Sequence, residues 1–137
     1  MNSSSSISRL DVAPCVADSS GLFPRIEDLC ASFVYVRLHG AERLYTSGYS
    51  DAQLRYWANR IRSWSRGRQV RTAQLAGDER RGDERARSVY VYFDNDAKVH
   101  APFDAINLER LLSGKPTLPA PPELDLAAKR PVVVRGW

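Results

Sequence analysis

Phe33-Val-Tyr-Val-Arg-Leu-His-Gly40 and Val89-Tyr-Val-Tyr-Phe-Asp-Asn-Asp96 share one pattern, a β-branched and aromatic run that ends in polar or ionisable groups. A run of about five or six such residues predicts a strand, and the polar residues mark the point where the strand becomes a loop. In α/β proteins the loops that follow the strands carry the functional site. The two segments therefore indicate where a site would lie, although they do not specify a reaction.

The composition indicates one globular domain. The chain has 137 residues, of which 43% are apolar and 26% are charged, and its net charge is +4. No apolar run approaches the roughly 20 residues that a bilayer-spanning helix needs, and residues 1–6 lack the basic flank and apolar centre of a secretory signal. We therefore expect a cytoplasmic protein that has no membrane partner.

Changes in composition along the chain predict its domain boundaries. We expect residues 1–9 to be disordered, residues 10–114 to form the folded domain, and residues 115–137 to form a Pro-rich tail. Residues 66–88 hold seven arginines against four acidic residues, and they are longer than a connection within a compact domain needs to be. We interpret this segment as a flexible, charged insertion.

Local patterns predict three strands and two main helices. Leu10–Ala17 fits a first strand, and Pro24–Leu29 fits a short helix or turn. Ser50 and Gln53 have the spacing of a capping box, and the helix that follows repeats apolar residues at helical spacing until Gly67. The expected apolar faces are Leu54, Trp57, Ile61 and Trp64 on this helix, and Ala105, Leu108, Leu111 and Leu112 on the last one.

A strand, a helix and a second strand in succession predict a parallel βαβ unit, whose apolar strand faces receive the helices. Neighbouring residues of a strand point to opposite faces, so the alternating valines of both segments are expected to face the helices. The opposite face is expected to carry Tyr35, Arg37, His39, Tyr92 and Asp94.

The chain contains, in order, Tyr-x-Arg-x-His-Gly at residues 35–40, a Trp-bearing helix, and Tyr-x-Tyr-Phe-x-Asn-Asp at residues 90–96. This set resembles the domain-of-unknown-function 72 (YecE-like) family over about Val12 to Leu112. The family is similar to a TIM-type barrel. The resemblance implies an α/β fold that forms the last three βα units of a partial TIM-like barrel, with parallel strands and disordered tails. The earlier strands of such a barrel have no counterpart here, so a truncated fragment or a half that needs a partner is expected.

Arg37, His39 and Asp94 are predicted to bring a cation, a proton-transfer group and a carboxylate into one small volume. Arg37 would hold an anionic group such as phosphate, while Asp94 or Asp96 would orient His39 as an acid or base. The further candidates for substrate contact are Tyr35, Tyr92, Asn95 and Asp18. The same residue types equally fit a structural network, in which Arg37 pairs with Asp94 and the tyrosines fill the interior.

Asp18, His39, Asp94 and Asp96 are also compatible with a divalent metal, although their spacing is diagnostic of none. The sequence leaves three functions open: a hydrolase or lyase that acts on an anionic, phosphate-bearing substrate, a nucleic-acid or protein binding module, and an inactive fragment. Nucleic-acid binding would use the arginines of Arg66–Arg87. No aromatic residue interleaves with those arginines, so the segment has no platform for base stacking.

Overall fold

The computed structural model describes residues 10–42, 48–77, 84–95 and 100–119, together with the backbone of residues 133–134. The elements are, in chain order, β1 (Cys15–Asp18), β2 (Phe33–Leu38), α1 (Asp51–Ser65), β3 (Ser88–Phe93), α2 (His100–Leu112) and β4 (Val133–Val134). They form one sheet of order β1-β2-β3-β4, in which β1, β2 and β3 are parallel and β4 is antiparallel to β3.

This topology confirms the predicted α/β class and the parallel arrangement of the three predicted strands. The fourth strand differs from the prediction of parallel strands alone. The strands of the described residues form an open sheet, so a TIM-like barrel is not confirmed. Within the same residues, neither helix has the length and apolar character that crossing a membrane requires.

The two faces of the sheet differ as the alternation predicts. In the parallel register of β2 and β3, Val34 lies opposite Val89 and Val36 lies opposite Val91, and all four side chains are buried. These residues pack with α1 and α2 in a single apolar core. The helices thus cover one face of the sheet, and the polar and aromatic residues lie on the other.

α1 begins and ends where the sequence predicts. The apolar residues of its predicted face are buried in the core. The helix is followed by Gly67, whose φ of 78° lies in the left-handed region. A Cβ atom at this position would lie 2.3 Å from the backbone carbon of Glu84, so only glycine fits the close approach of the two segments.

Removal of the capping box of α1 is expected to destabilise the fold measurably. The Ser50 hydroxyl accepts a hydrogen bond from the Gln53 backbone, and the Gln53 side chain accepts one from the Ser50 backbone. Ser50→Ala is expected to lower the free energy of unfolding by about 1 kcal/mol, because the Gln53 backbone N–H in the first turn loses its acceptor. Urea denaturation measures the loss. Ser113→Ala, at an exposed position just after α2, is the control, and equal midpoints for the two variants would contradict the prediction.

The first part of the chain departs from the sequence prediction in two places. β1 begins at Cys15 rather than Leu10, because Pro14 has no backbone N–H to donate to a sheet. The described structure has no helix between Pro24 and Leu29. The Glu27 backbone there donates to the Gln74 carbonyl (2.8 Å), and its own carbonyl accepts from the Gln69 side chain, so a helical ladder cannot form.

A buried ionic cluster fastens this segment to α1. Glu27 is fully buried, and its Oε1 accepts a hydrogen bond from Arg25 Nε (2.6 Å) and lies 3.5 Å from Arg60 Nε. Its Oε2 accepts a hydrogen bond from the Gln74 backbone (3.0 Å). The Arg60 side chain is only 4% exposed and reaches Thr72. The described residues that follow α1 are therefore bound to the loop that follows β1.

The described arginines between 66 and 87 differ in their exposure. Arg66, Arg68 and Arg71 are exposed. Arg87 is buried, and its Nε donates to the Ala31 carbonyl (2.8 Å). Arg87 therefore holds two segments together and contributes no charge to the surface.

The residues after α2 run back towards the start of α1. The Leu118 backbone donates to the buried Asn107 Oδ1 (2.7 Å), and the Thr117 hydroxyl donates to Asp51 Oδ1 (2.6 Å). The described part of the Pro-rich segment thus bridges the two helices.

Candidate functional site

Arg37 and His39 share one carboxylate at the edge of the sheet where β2 and β3 end. Asp94 Oδ2 accepts a hydrogen bond from Arg37 Nη2 and lies 2.8 Å from His39 Nδ1. Two backbone bonds hold the cluster in place. His39 donates to the Asp18 carbonyl (2.9 Å), and Asp94 donates to the Leu38 carbonyl (2.9 Å). The sheet ladder therefore extends one residue beyond each strand and fixes the backbone of His39 and Asp94.

Burial in this cluster decreases from the histidine to the arginine. His39 is buried, whereas the side chains of Asp94 and Arg37 are 18% and 40% exposed. Burial by itself lowers the pKa of Arg37, but the hydrogen bond and negative charge of Asp94 outweigh that effect and raise it. Arg37 thus stays a cation that is partly open to solvent, next to a buried imidazole.

Aromatic rings line the sheet beside this cluster. The rings of Tyr35 and Tyr92 are 5.4 Å apart, and Phe33 and Tyr90 form an edge-to-face pair at 6.0 Å. Cys15 lies opposite Tyr35 in the parallel register and is exposed, and partial desolvation raises the pKa of its thiol. The face that carries the cluster is therefore aromatic and partly open, with an ion pair at one end.

A second polar cluster lies on the helix-facing side of the same edge. The Tyr49 hydroxyl donates to Asp18 Oδ2 (3.0 Å) and accepts a hydrogen bond from the Gly40 backbone (3.0 Å). Asp104 Oδ2 accepts from the Tyr49 backbone (3.1 Å) and from the side chain of Asn95 (2.7 Å). This cluster connects β1, the loop before α1, the end of β3 and α2.

Burial dominates the electrostatics of the second cluster. It raises the pKa of Asp104 to about 6, although the hydrogen bonds from Asn95 and the Tyr49 backbone oppose the shift. The pKa of the Tyr49 hydroxyl is also raised, first by burial and then by the charge of Asp18. The tyrosine therefore stays neutral and acts as a hydrogen-bond donor to Asp18.

The predicted site residues thus divide between two faces. The structure brings together Arg37, His39 and Asp94, with Tyr35 and Tyr92 beside them on the same face. It places Asp18 and Asn95 on the helix-facing side, where Asp18 contacts Tyr49 and Asn95 contacts Asp104. Asp96 lies outside the described residues.

The family model "Protein of unknown function DUF72" matches residues 4–126 of the chain. The chain belongs to the DUF72 family. No curated protein and no solved structure matches this DUF72 chain. The resemblance found in the sequence motifs is therefore confirmed, and the family description specifies no activity.

Two residues of the second polar cluster are not predicted from the sequence. Tyr49 and Asp104 are 55 residues apart, and nothing in the local pattern of either one indicates a contact between them. Only the position of Asp104 on the mainly apolar face of α2, between Ala101 and Ala105, indicates a buried acid. A buried carboxylate in such a position requires hydrogen-bond partners, and these are supplied by the loop before α1 and by the end of β3.

The same geometry bears on whether these residues could hold a metal ion. Among the residues that the structure describes, no three His, Cys, Asp or Glu side chains come together in a way that could hold a metal ion. Asp18 lies on the opposite face from His39 and Asp94, so these three do not converge on one point. The chemistry that the cluster can perform with its own side chains is proton transfer and anion binding.

Proposed function

We propose that this DUF72 domain is an acid–base enzyme of the hydrolase or lyase type that acts on a small anionic substrate at the Arg37, His39 and Asp94 cluster. The proposal rests on the position of Asp94 Oδ2, which accepts a hydrogen bond from Arg37 and lies 2.8 Å from His39 Nδ1. A carboxylate in this position orients both a binding group and a proton-transfer group towards the same space.

His39 is the group we propose for proton transfer. When Nδ1 carries the proton that faces Asp94, the lone pair of the neutral ring is on Nε2. A fixed tautomer is what a general base requires, because its acceptor nitrogen must point in one direction. The burial of the imidazole limits rotation of the ring, and the backbone bond from His39 to Asp18 fixes the point from which the side chain projects.

Arg37 is the group we propose for substrate binding. Its side chain is 40% exposed, and its buried Nε–H has no hydrogen-bond acceptor in the described part of the chain. A planar guanidinium binds phosphate or carboxylate oxygens through paired donors. The rings of Tyr35 and Tyr92 form the adjoining wall and would contact the uncharged part of such a substrate.

The arrangement also supports a proposal about architecture. We place this sheet in a TIM-like barrel of the DUF72 family, with the face of Tyr35 and Tyr92 towards the interior. The support is that the helices of the described residues cover only the opposite face, and that the ionic cluster lies at the carboxyl end of parallel strands, where barrel enzymes carry their sites.

Substitutions separate this function from a structural role of the same residues. With 4-nitrophenyl phosphate as a general substrate, His39→Gln is expected to lower kcat by about 10² to 10⁴. Arg37→Gln is expected to raise KM, because it removes the anion-binding cation. The melting temperature should change little in Arg37→Gln, since a partly exposed ion pair contributes about 1 kcal/mol or less, and in His39→Gln, whose side-chain amide can still donate to Asp94. Steady-state kinetics and thermal denaturation on the same samples measure both effects.

The second histidine provides the matched control. His100 is half-buried at the start of α2 and packs against Gly48, so His100→Gln should leave the turnover unchanged. In addition, inorganic phosphate should shift the NMR signals of the Arg37 Nε–H and the His39 ring, and Arg37→Gln should abolish the shift. Turnover that survives His39→Gln, or a collapse of stability in both variants, would show that the cluster is structural.

A further inference from the structure

A cavity of about 330 Å³ opens beside the end of β1, on the helix-facing side of the sheet. Its polar walls are formed by Asp18, Arg25 and Gln53. The side chain of Asp18 points away from the face that carries Arg37 and His39, so the cavity is separate from the site proposed above. Its volume lies at the lower end of the range for small-molecule sites.

One wall of the cavity carries a surplus positive charge. Arg25 and Arg60 both contact the single carboxylate of Glu27, so this group of three has a net charge of +1. Arg25 is the member that lines the cavity, whereas Arg60 is almost fully buried. Arg25 Nε is held by Glu27 and Nη2 by Glu27 and the Tyr56 hydroxyl, but Nη1 makes no hydrogen bond with the residues that the structure describes.

Aromatic rings fix the position of this guanidinium. The central carbon of Arg25 lies 4.5 Å from the centre of the Trp57 ring and 5.2 Å from that of Tyr56. Such stacking holds the cation in a desolvated setting and reduces the entropy that it would lose on binding a ligand. Arg25 is therefore a positioned cation with donors left for an incoming anionic group.

The opposite charge comes from Asp18. Its Oδ2 accepts a hydrogen bond from the neutral Tyr49 hydroxyl, and no cation of the described residues lies within 4 Å of its carboxylate. Arg25 and Asp18 thus line the same cavity without forming an ion pair with each other. Between them the wall contains the small side chains Ala41 and Ala52 and the amide of Gln53, whose Oε1 already accepts from the Ser50 backbone.

We infer that this cavity binds a small zwitterion, with its carboxylate on Arg25 and its ammonium group on Asp18. A molecule with a single charge would neutralise either Arg25 or Asp18 and leave the charge of the other side chain desolvated, which costs free energy. A molecule with both charges compensates the two walls together. The alanines leave room for a short methylene chain that joins the two charged ends.

A series of ω-amino acids of increasing length tests this inference and measures the separation of the two charges. Glycine, β-alanine, 4-aminobutyrate and 5-aminovalerate are titrated into the full chain, and the indole N–H signal of Trp57 is followed by NMR. We expect one length to bind best, with an affinity about tenfold above that of butyrate or butylammonium. Equal affinities for the zwitterions and the singly charged molecules would overturn the inference.

Three variants complete the test. Asp18→Asn keeps an acceptor for Tyr49 and removes the negative charge, so the preference for the zwitterion should disappear. Ala52→Leu, at an exposed position in the first turn of α1, should fill the cavity and block binding. Arg55→Gln is the control, because Arg55 pairs with Asp51 outside the cavity and should leave binding unchanged. Persistence of the preference in Asp18→Asn, with the indole signal of Trp64 unshifted to show an intact core, would refute the assignment.

Discussion

Glu27→Ala is expected to lower the free energy of unfolding by about 3 to 5 kcal/mol, because it leaves buried charges without a counter-ion. Glu27 is fully buried and compensates Arg25 and Arg60. Arg60 is 4% exposed and cannot reach solvent without disrupting its contacts with Thr72. The Gln74 backbone would lose its acceptor as well. Chemical denaturation, followed by the fluorescence of the buried tryptophans, measures the loss.

Two further variants identify the cause of this loss. Glu27→Gln keeps the shape of the side chain and an acceptor for the Gln74 backbone, but it removes the negative charge, so an intermediate loss is expected. Arg55→Ala breaks the exposed pair with Asp51 and should leave the denaturation midpoint close to that of the wild type. If Glu27→Ala behaves like Arg55→Ala, the cluster is not a source of stability.

The free energy of unfolding is expected to fall as the pH rises from about 4 to above 6, because the buried carboxyl group of Asp104 ionises in this range. Its native pKa of about 6 lies above the usual 3.8, because burial disfavours the charged form. The folded state therefore binds the proton more tightly than the unfolded chain does. The stabilisation from that proton is complete below pH 3.8 and is lost as the pH rises through 6. The loss from this group amounts to roughly 3 kcal/mol.

Asp104→Asn isolates this effect from the titration of the other carboxyl groups. The asparagine is neutral at every pH, and its oxygen can still accept from Asn95 and from the Tyr49 backbone. We expect the variant to match the wild type near pH 4 and to exceed its free energy of unfolding by roughly 3 kcal/mol at pH 7. Asp104→Ala should instead lie about 3 kcal/mol below Asp104→Asn at every pH, because it leaves two buried donors unpaired.

Urea denaturation curves from pH 4 to pH 8 for the wild type and both variants test these expectations. A difference between the wild type and Asp104→Asn that stays constant over this range would show that Asp104 does not titrate there. A parallel series on Ser50→Ala provides a control, because the loss of a neutral cap should not depend on pH.

The strands and helices are the part of the fold that the sequence predicts well. The period of two in residues 33–38 assigns Val34 and Val36 to the core and Tyr35 and Arg37 to the other face, because alternation is a local property of extended backbone. The pairing of Arg37 with Asp94 then follows from the parallel register. Predictions that rest on periodicity alone are therefore reliable here.

Contacts between distant segments account for most of what the sequence does not predict. The position of Asp18 opposite Leu38 depends on the register of β1 and β2, which no local pattern encodes. Asn95 follows Asp94 directly, so alternation already places its side chain on the opposite face, although the sequence prediction assigns Asp94 to proton transfer and Asn95 to contact with the same substrate. The partners of Glu27 come from residues 25, 60 and 74, and the extended backbone around it depends on that tertiary bonding.

The single oxygen that serves both Arg37 and His39 also limits how this domain can change over generations. Under the proposed function, an exchange of Arg37 would change the anion that binds, and an exchange of His39 would change the proton transfer. Any replacement of Asp94 would alter the two traits at once. A descendant that acquires a new specificity would therefore be expected to keep its aspartate and to vary the residues around it.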